Sequence, residues 1–90
     1  MKRAIITVLG KDTVGILARV SAECAAHHIN VLKVTQSILQ DMFAMIMMVD
    51  VSGSDIPFTQ FVDTLNEAGK DMNLSIHTMH EDIFNTMHHI

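Results

Sequence analysis

The chain has no tryptophan or tyrosine, only four phenylalanines and a single cysteine. A base-stacking platform for nucleic acid needs exposed aromatic rings, and helical spacing assigns most of these phenylalanines to cores. Cys24 alone excludes an internal disulfide framework, and a lone cysteine beside eight methionines fits a reducing cytosol. Basic residues are also scarce. Six Lys and Arg stand against ten Asp and Glu, for a net charge of −4. They are too few and too scattered for an electrostatic nucleic-acid footprint. No apolar run approaches the roughly 18–20 residues of a membrane span. The run after the charged start, residues 4–9, is too short for the core of a signal peptide. A cytoplasmic protein with no nucleic-acid or membrane partner is expected.

What is present is apolar. Hydrophobic residues make up 49% of the 90 residues, charged ones 18%, and the mean hydropathy is +0.31. That excludes intrinsic disorder. The length suits one domain and leaves no room for a separate cofactor domain. It also implies more apolar surface than one small core can hide, which points to oligomerisation.

Breaker residues divide the chain. Residues 3–9 are apolar and β-branched, a first strand closed by Gly10. Residues 10–13 read as a turn, with Asp12 or Thr13 placed to cap a helix. That helix spans residues 14–28, with Leu17, Val20, Cys24 and His28 at three- and four-residue steps. Asn30 ends it. Residues 31–40 alternate, Leu32, Val34, Gln36 and Ile38 on one side and Val31, Lys33, Thr35 and Ser37 on the other. Asp41 and Met42 sit at a tight turn. Residues 43–51 are apolar at almost every position, a strand covered on both faces. Pro57 opens a second helix with Phe58, Phe61, Val62, Leu65 and Met72 on its apolar stripe. Residues 73–80 alternate again, with Leu74 and Ile76 inward. Residues 81–90 form an amphipathic tail with Ile83, Phe84 and Met87 on one side.

The order is βαββαβ plus a tail. It predicts an α+β, ferredoxin-like domain over residues 1–80, followed by a short helical tail, 81–90. A four-stranded antiparallel sheet carries both helices on one face, with strands one and three central. The other face then keeps apolar residues such as Ile5 and Leu9, with Met45 and Met47 or their neighbours. A second chain, the tail, or both must cover it.

The fold hosts many activities, so function rests on sites. The loop Gly10–Lys11–Asp12–Thr13–Val14–Gly15 lacks the two cysteines of a copper-chaperone module and the arginine of an acylphosphatase-like site. The central strands lack the aromatics of an RNA-recognition motif. Instead, Gly10 to Leu17 fits the pattern G-x-D-x-x-G-[IL]-[LV], and Ile29–Asn30–Val31 places an asparagine before an apolar strand. Here the chain resembles the ACT domain, a small-molecule-sensing module of amino-acid metabolism. The resemblance covers strand one to strand four. It is strongest to small stand-alone bacterial ACT proteins, and the chain is also similar to the regulatory halves of glycine-cleavage repressors and formyltetrahydrofolate deformylases. It implies a homodimer in which Asn30 of the neighbouring subunit approaches the first loop.

The candidate ligand-binding residues are Lys11, Asp12, Thr13, Val14, Gly15, Ile16, Asn30 and Val31. First-turn N–H groups of a helix lack intrahelical acceptors and suit a carboxylate. Asp12 can take an ammonium, and a glycine at 15 lets backbone or ligand approach closely. The structural alternative is that Asp12 merely caps, Gly15 makes packing room and Asn30 is an ordinary helix terminator. Six histidines invite a metal reading, but His77 and His80 point to opposite strand faces and no pair has i, i+4 helical spacing. Metal ligands, cofactors and a catalytic constellation are not expected. Met42, Met45, Met47 and Met48 read as core or interface filler, and Cys24 as buried and inert. The expected function is a stand-alone regulatory protein, not an enzyme, that binds an amino acid and acts on a regulated enzyme or regulator. The alternatives are a ligand-free dimerisation module and a metal-responsive module.

Overall fold

A computed structural model describes residues 2–11 and 15–83. The elements are β1 (Arg3–Lys11), α1 (Ile16–Ala26), β2 (Asn30–Leu39), β3 (Met42–Asp50), α2 (Phe58–Met72) and β4 (Ser75–His80). All strand pairs are antiparallel, in the order β2-β3-β1-β4. This is the ferredoxin-like βαββαβ arrangement with β1 and β3 central, as the patterning predicts. The helical turn at residues 81–83 begins the predicted tail. Residues 84–90 of that tail lie outside the described residues.

The core sits between the sheet and the two helices. β1 contributes Ala4, Ile6 and Val8, and β3 contributes Phe43, Met45, Met47 and Val49. The helices add Ile16, Val20 and Cys24 from α1 and Phe61 and Leu65 from α2. Each fully buried large side chain is worth about 1.5–3 kcal/mol relative to exposure. No buried polar or charged residue interrupts this layer among the described residues.

Several local expectations are corrected. β1 runs on through Gly10 to Lys11, because both stay paired with β3 opposite Phe43 and Met42. The β2–β3 turn is therefore Gln40–Asp41, with Gln40 left-handed at φ 58°. Helix α1 is shorter than the predicted span 14–28. Its buried stripe is Ile16, Val20 and Cys24, and Leu17 is 36% exposed instead. Asn30 does not end the helix. His28 takes the left-handed position at φ 60°, while Ile29 N–H donates to Cys24 O (2.9 Å) and His28 N–H to Ala25 O (3.3 Å). Those two bonds form a Schellman closure, sealed by buried Ile29 against buried Cys24. The end of α2 repeats it. Asn73 is left-handed at φ 58°, and Leu74 and Asn73 donate to Gly69 O and Lys70 O.

In β2 the register shifts between Val31 and Lys33. The bulge flips the face of everything before it. Val31 pairs with buried Val49 and shares the helix side with Val34, not with Lys33, Thr35 and Ser37. In β3, Met45 and Met47 face the helices. Their neighbours Ile46 and Met48 are the ones on the open face, beside Thr7 and Ile5.

Candidate functional site

The predicted site divides between the two ends of the sheet. Lys11 is exposed at the end of β1, in one row with Met42 and Leu39. Gly15 and Ile16 follow at the start of α1. Asp12, Thr13 and Val14 lie outside the described residues, so the expected Asp12 or Thr13 cap does too. The residue at the cap position is Gly15, at φ 90°, ψ 2°, with Arg19 N–H donating to its carbonyl (2.9 Å).

Within this chain, glycine at position 15 is required by its backbone conformation. A Cβ there would meet no atom of this chain within 4 Å, so no approach within the chain requires glycine. The positive φ does, because L side chains avoid it. A glycine cap has no side chain to accept from the first-turn amides, and no acidic residue stands in that turn. The leading N–H groups of α1 therefore have no partner inside the helix and lie at its positive end. Ile16 is buried and anchors this end to the core.

Asn30 and Val31 stand at the opposite end. Asn30 is exposed and opens β2 opposite Asp50, which in turn lies opposite Arg3. The 11 residues of α1 separate them from Gly15 by roughly 16 Å along the helix axis. Within one chain, Gly15 and Ile16 are not brought together with Asn30 and Val31. Both halves are nevertheless accessible, since Val31 is 38% exposed on an edge strand.

The end of the sheet that holds Asn30 has polar features that sequence reasoning missed. His27 Nδ1 lies 3.0 Å from Asp55 Oδ1, and Asp55 N–H donates to His27 O (3.3 Å). These contacts tie the turn after α1 to the loop before α2. The Ser52 hydroxyl and backbone N–H both donate to Asp50 Oδ1, and they hold the Asp50 carboxyl below its ordinary value. His80 stacks on Phe58 with ring centroids 3.9 Å apart. A cavity of about 230 Å³ opens beside them, lined by Lys2, Ile29, Val51 and Phe61 among others. The only sequence signal for these contacts is the proximity of Pro57 and Gly53 to charged neighbours, which fixes no partner.

His77 pairs with Thr7 on the open face and His80 with Ala4 on the helix face, so their rings diverge. Among the described residues no three His, Cys, Asp or Glu side chains gather as a metal group. Cys24 is buried, and burial pushes its thiol up to about 11, so it stays protonated at neutral pH. No helix of the described residues is long and apolar enough to cross a membrane.

The sequence profile of the ACT domain matches residues 2–79. A UPF0237 protein of Clostridium acetobutylicum is 46% identical over 88 residues, 98% of this chain and 99% of that one. An ACT domain protein from Streptococcus pneumoniae has a solved structure that superposes with a TM-score of 0.80 at 34% identity, covering 92% of this chain and 93% of that chain. A putative glycine cleavage system transcriptional repressor matches at TM-score 0.71 and 21% identity, over 88% of this chain and 45% of that one. A formyltetrahydrofolate deformylase from Pseudomonas syringae pv. tomato matches at TM-score 0.80 and 16% identity, over 89% of this chain and 28% of that one. The last two share the fold alone. With the βαββαβ order, the left-handed glycine opening α1 and a profile spanning almost every strand and helix, this chain belongs to the ACT domain family.

Proposed function

We propose that this chain is a stand-alone regulatory ACT protein that binds an amino acid at the interface of a homodimer. The observation that carries the reading is the division of the site. The first-turn N–H groups behind Gly15, which have no acceptor within the helix, and the edge residues Asn30 and Val31 lie at opposite ends of one chain. A second copy that pairs its β2 edge antiparallel with this one sets the start of one strand beside the end of the other. Asn30 of one chain then stands next to the row Leu39–Met42–Lys11 of its partner. Neighbouring strands are about 4.8 Å apart, so Lys11 lies about 10 Å from that edge.

Edge pairing also answers a second need. β2 is a ten-residue edge with exposed Val31, Leu32 and Ile38, and an edge of this length invites a partner strand. In the assembled site the first-turn amides of α1 take the ligand carboxylate and Asp12 takes its ammonium. Asn30 of the other chain supplies one donor and one acceptor. Leu17, exposed beside this end of α1, shapes the space for the ligand side chain. Binding that bridges two chains couples ligand level to the dimer, and through it to a regulated enzyme or regulator. Lys11 at the end of β1, Thr13 and Val14 after it and Ile16, which anchors the start of α1 to the core, complete the candidate site.

The test is a thermal-shift screen of the amino acids. A ligand at 100 times its Kd adds about 2.7 kcal/mol of stability. With a ligand in hand, Asp12→Ala and Asn30→Ala should each abolish the shift. Mixing the two variants should restore it in the mixed dimers, which hold one intact site made of the unaltered loop and the unaltered Asn30. Mixed dimers that fail to bind place both residues in one chain's site and refute the shared one. A wild-type protein that no amino acid stabilises, with Asp12→Ala costing about 1 kcal/mol as loss of a cap would, establishes a ligand-free interaction module instead.

A further inference from the structure

The layer between sheet and helices is not filled at the end where β4 finishes. The cavity of about 230 Å³ there has a graded lining. Its inner wall is apolar, with Ile29 and Phe61 buried and Val51, Ile56 and Phe58 half-buried. Exposed Lys2 and half-buried His80 stand at its mouth, where they also border a second groove with Arg3, Glu81 and Asp82. At the roughly 30 Å³ that a water takes in the liquid, the cavity holds about eight non-hydrogen atoms.

Three polar side chains line this cavity, and their commitments differ. The Ser54 hydroxyl donates to Ile56 O (2.9 Å) and accepts from Ile56 N–H (3.2 Å), so it is spent within its own turn. The His80 ring stacks on Phe58, and neither of its nitrogens has a hydrogen-bond partner among the described residues. Lys2 pairs with no carboxylate among the described residues. Acids stand nearby but are engaged elsewhere, Glu81 with Arg3, Asp50 with Ser52 and Asp55 with His27. Among the described residues no carboxylate lines the cavity itself. Helix α2 opens at Phe58 with no acidic residue in its first turn, so its positive end adds to the same sign.

We infer that this cavity binds a small carboxylate with an apolar tail, of the class of short-chain fatty acid anions. The tail lies against Ile29, Val51 and Phe61, and the carboxylate sits at the mouth between the Lys2 ammonium and an N–H of the His80 ring. The lining decides the sign of the charge. A cationic head would face Lys2, and a zwitterionic amino acid would find no carboxylate here for its ammonium, a burden that burial makes costly. Hexanoate, a six-carbon chain ending in two oxygens, matches the volume. The cavity shares no residue with the amino-acid site proposed above, so either can fail alone.

A methyl-resolved NMR titration of the full chain with hexanoate tests the assignment. The Ile29, Val51 and Ile56 methyls should shift together and saturate. The Leu9 and Ile46 methyls, exposed on the other face of the sheet, should stay where they are. Lys2→Gln changes an exposed side chain and should weaken hexanoate about tenfold, the weight of one charge-assisted hydrogen bond, while leaving the weaker binding of 1-hexanol unaltered. 2-Aminohexanoate, the same chain with an ammonium added, should bind about tenfold less tightly than hexanoate. Hexanoate that shifts none of the lining methyls, or never saturates them, would overturn the assignment. So would an unchanged affinity in Lys2→Gln, or 2-aminohexanoate binding as tightly as hexanoate. Shifts centred on Leu9 and Ile46 would mark uptake by an exposed apolar face and overturn it equally.

Discussion

The two ends of the sheet are closed by different physics. At the end with Arg3, Asn30 and Asp50, side chains do the joining. Arg3 holds Glu81, His27 meets Asp55 and Ser52 turns back on Asp50. At the end with Lys11 and Met42, glycines let backbone close on backbone. Gly69 lies so near the entry to β4 that a Cβ there would sit 2.9 Å from Leu74 O and 3.1 Å from Ile76 Cγ1. Gly10 packs under the Leu74 side chain, and Gly15 turns the chain into α1 with a positive φ. The first end is held by polar contacts that solvent weakens. The second depends on conformations and clearances only glycine supplies.

If this contrast is right, alanine at the glycines costs more than neutralising the charges. Gly69→Ala should have the largest effect. Its Cβ meets a backbone carbonyl that cannot rotate away, so overpacking of about 1–3 kcal/mol is expected in urea unfolding. Gly10→Ala should be milder, because the Leu74 side chain it meets can change rotamer. Gly15→Ala should cost about 1–2 kcal/mol through left-handed strain alone, and Gly15→Asn less, because asparagine tolerates that region. Equal costs for Ala and Asn would return Gly15 to a steric role.

At the polar end the effects are smaller. Asp55→Asn should lower stability by no more than about 0.5 kcal/mol, since the pair with His27 is substantially solvated, and the loss should shrink further in high salt. A loss above that of Gly15→Ala would reverse the comparison. The smallest effect is a pH dependence. Asp50 titrates below its ordinary value in the folded chain, so its contribution is complete above the unfolded carboxylate value and fades as pH falls through the lower folded one. Ser52→Ala removes the hydroxyl donor and should flatten the acid limb of a stability-versus-pH curve. An unchanged limb would show that the hydroxyl bond contributes nothing.

The order of elements, the central and edge strands and the apolar stripe of α2 could be read from residue spacing alone. Periods of two and of three to four are local properties of a chain, written wherever one face is buried. The family pattern from Gly10 to Leu17 was legible for the same reason, being contiguous. Everything that hinges on a one-residue phase was not. A bulge after Val31 reversed that residue's face, Met45 and Met47 rather than Ile46 and Met48 turned toward the helices, and Ile16 rather than Leu17 took the core position. Because side chains alternate with period two, a shift by one residue exchanges the faces, and only pairing with another strand sets that shift. The close of α1 at His28 rather than Asn30 was likewise decided by Ile29 burying itself against Cys24. The sequence by itself could nominate Gly15 and Asn30. Only the tertiary structure set them at opposite ends of the domain, because a rigid helix of 11 residues stands between them.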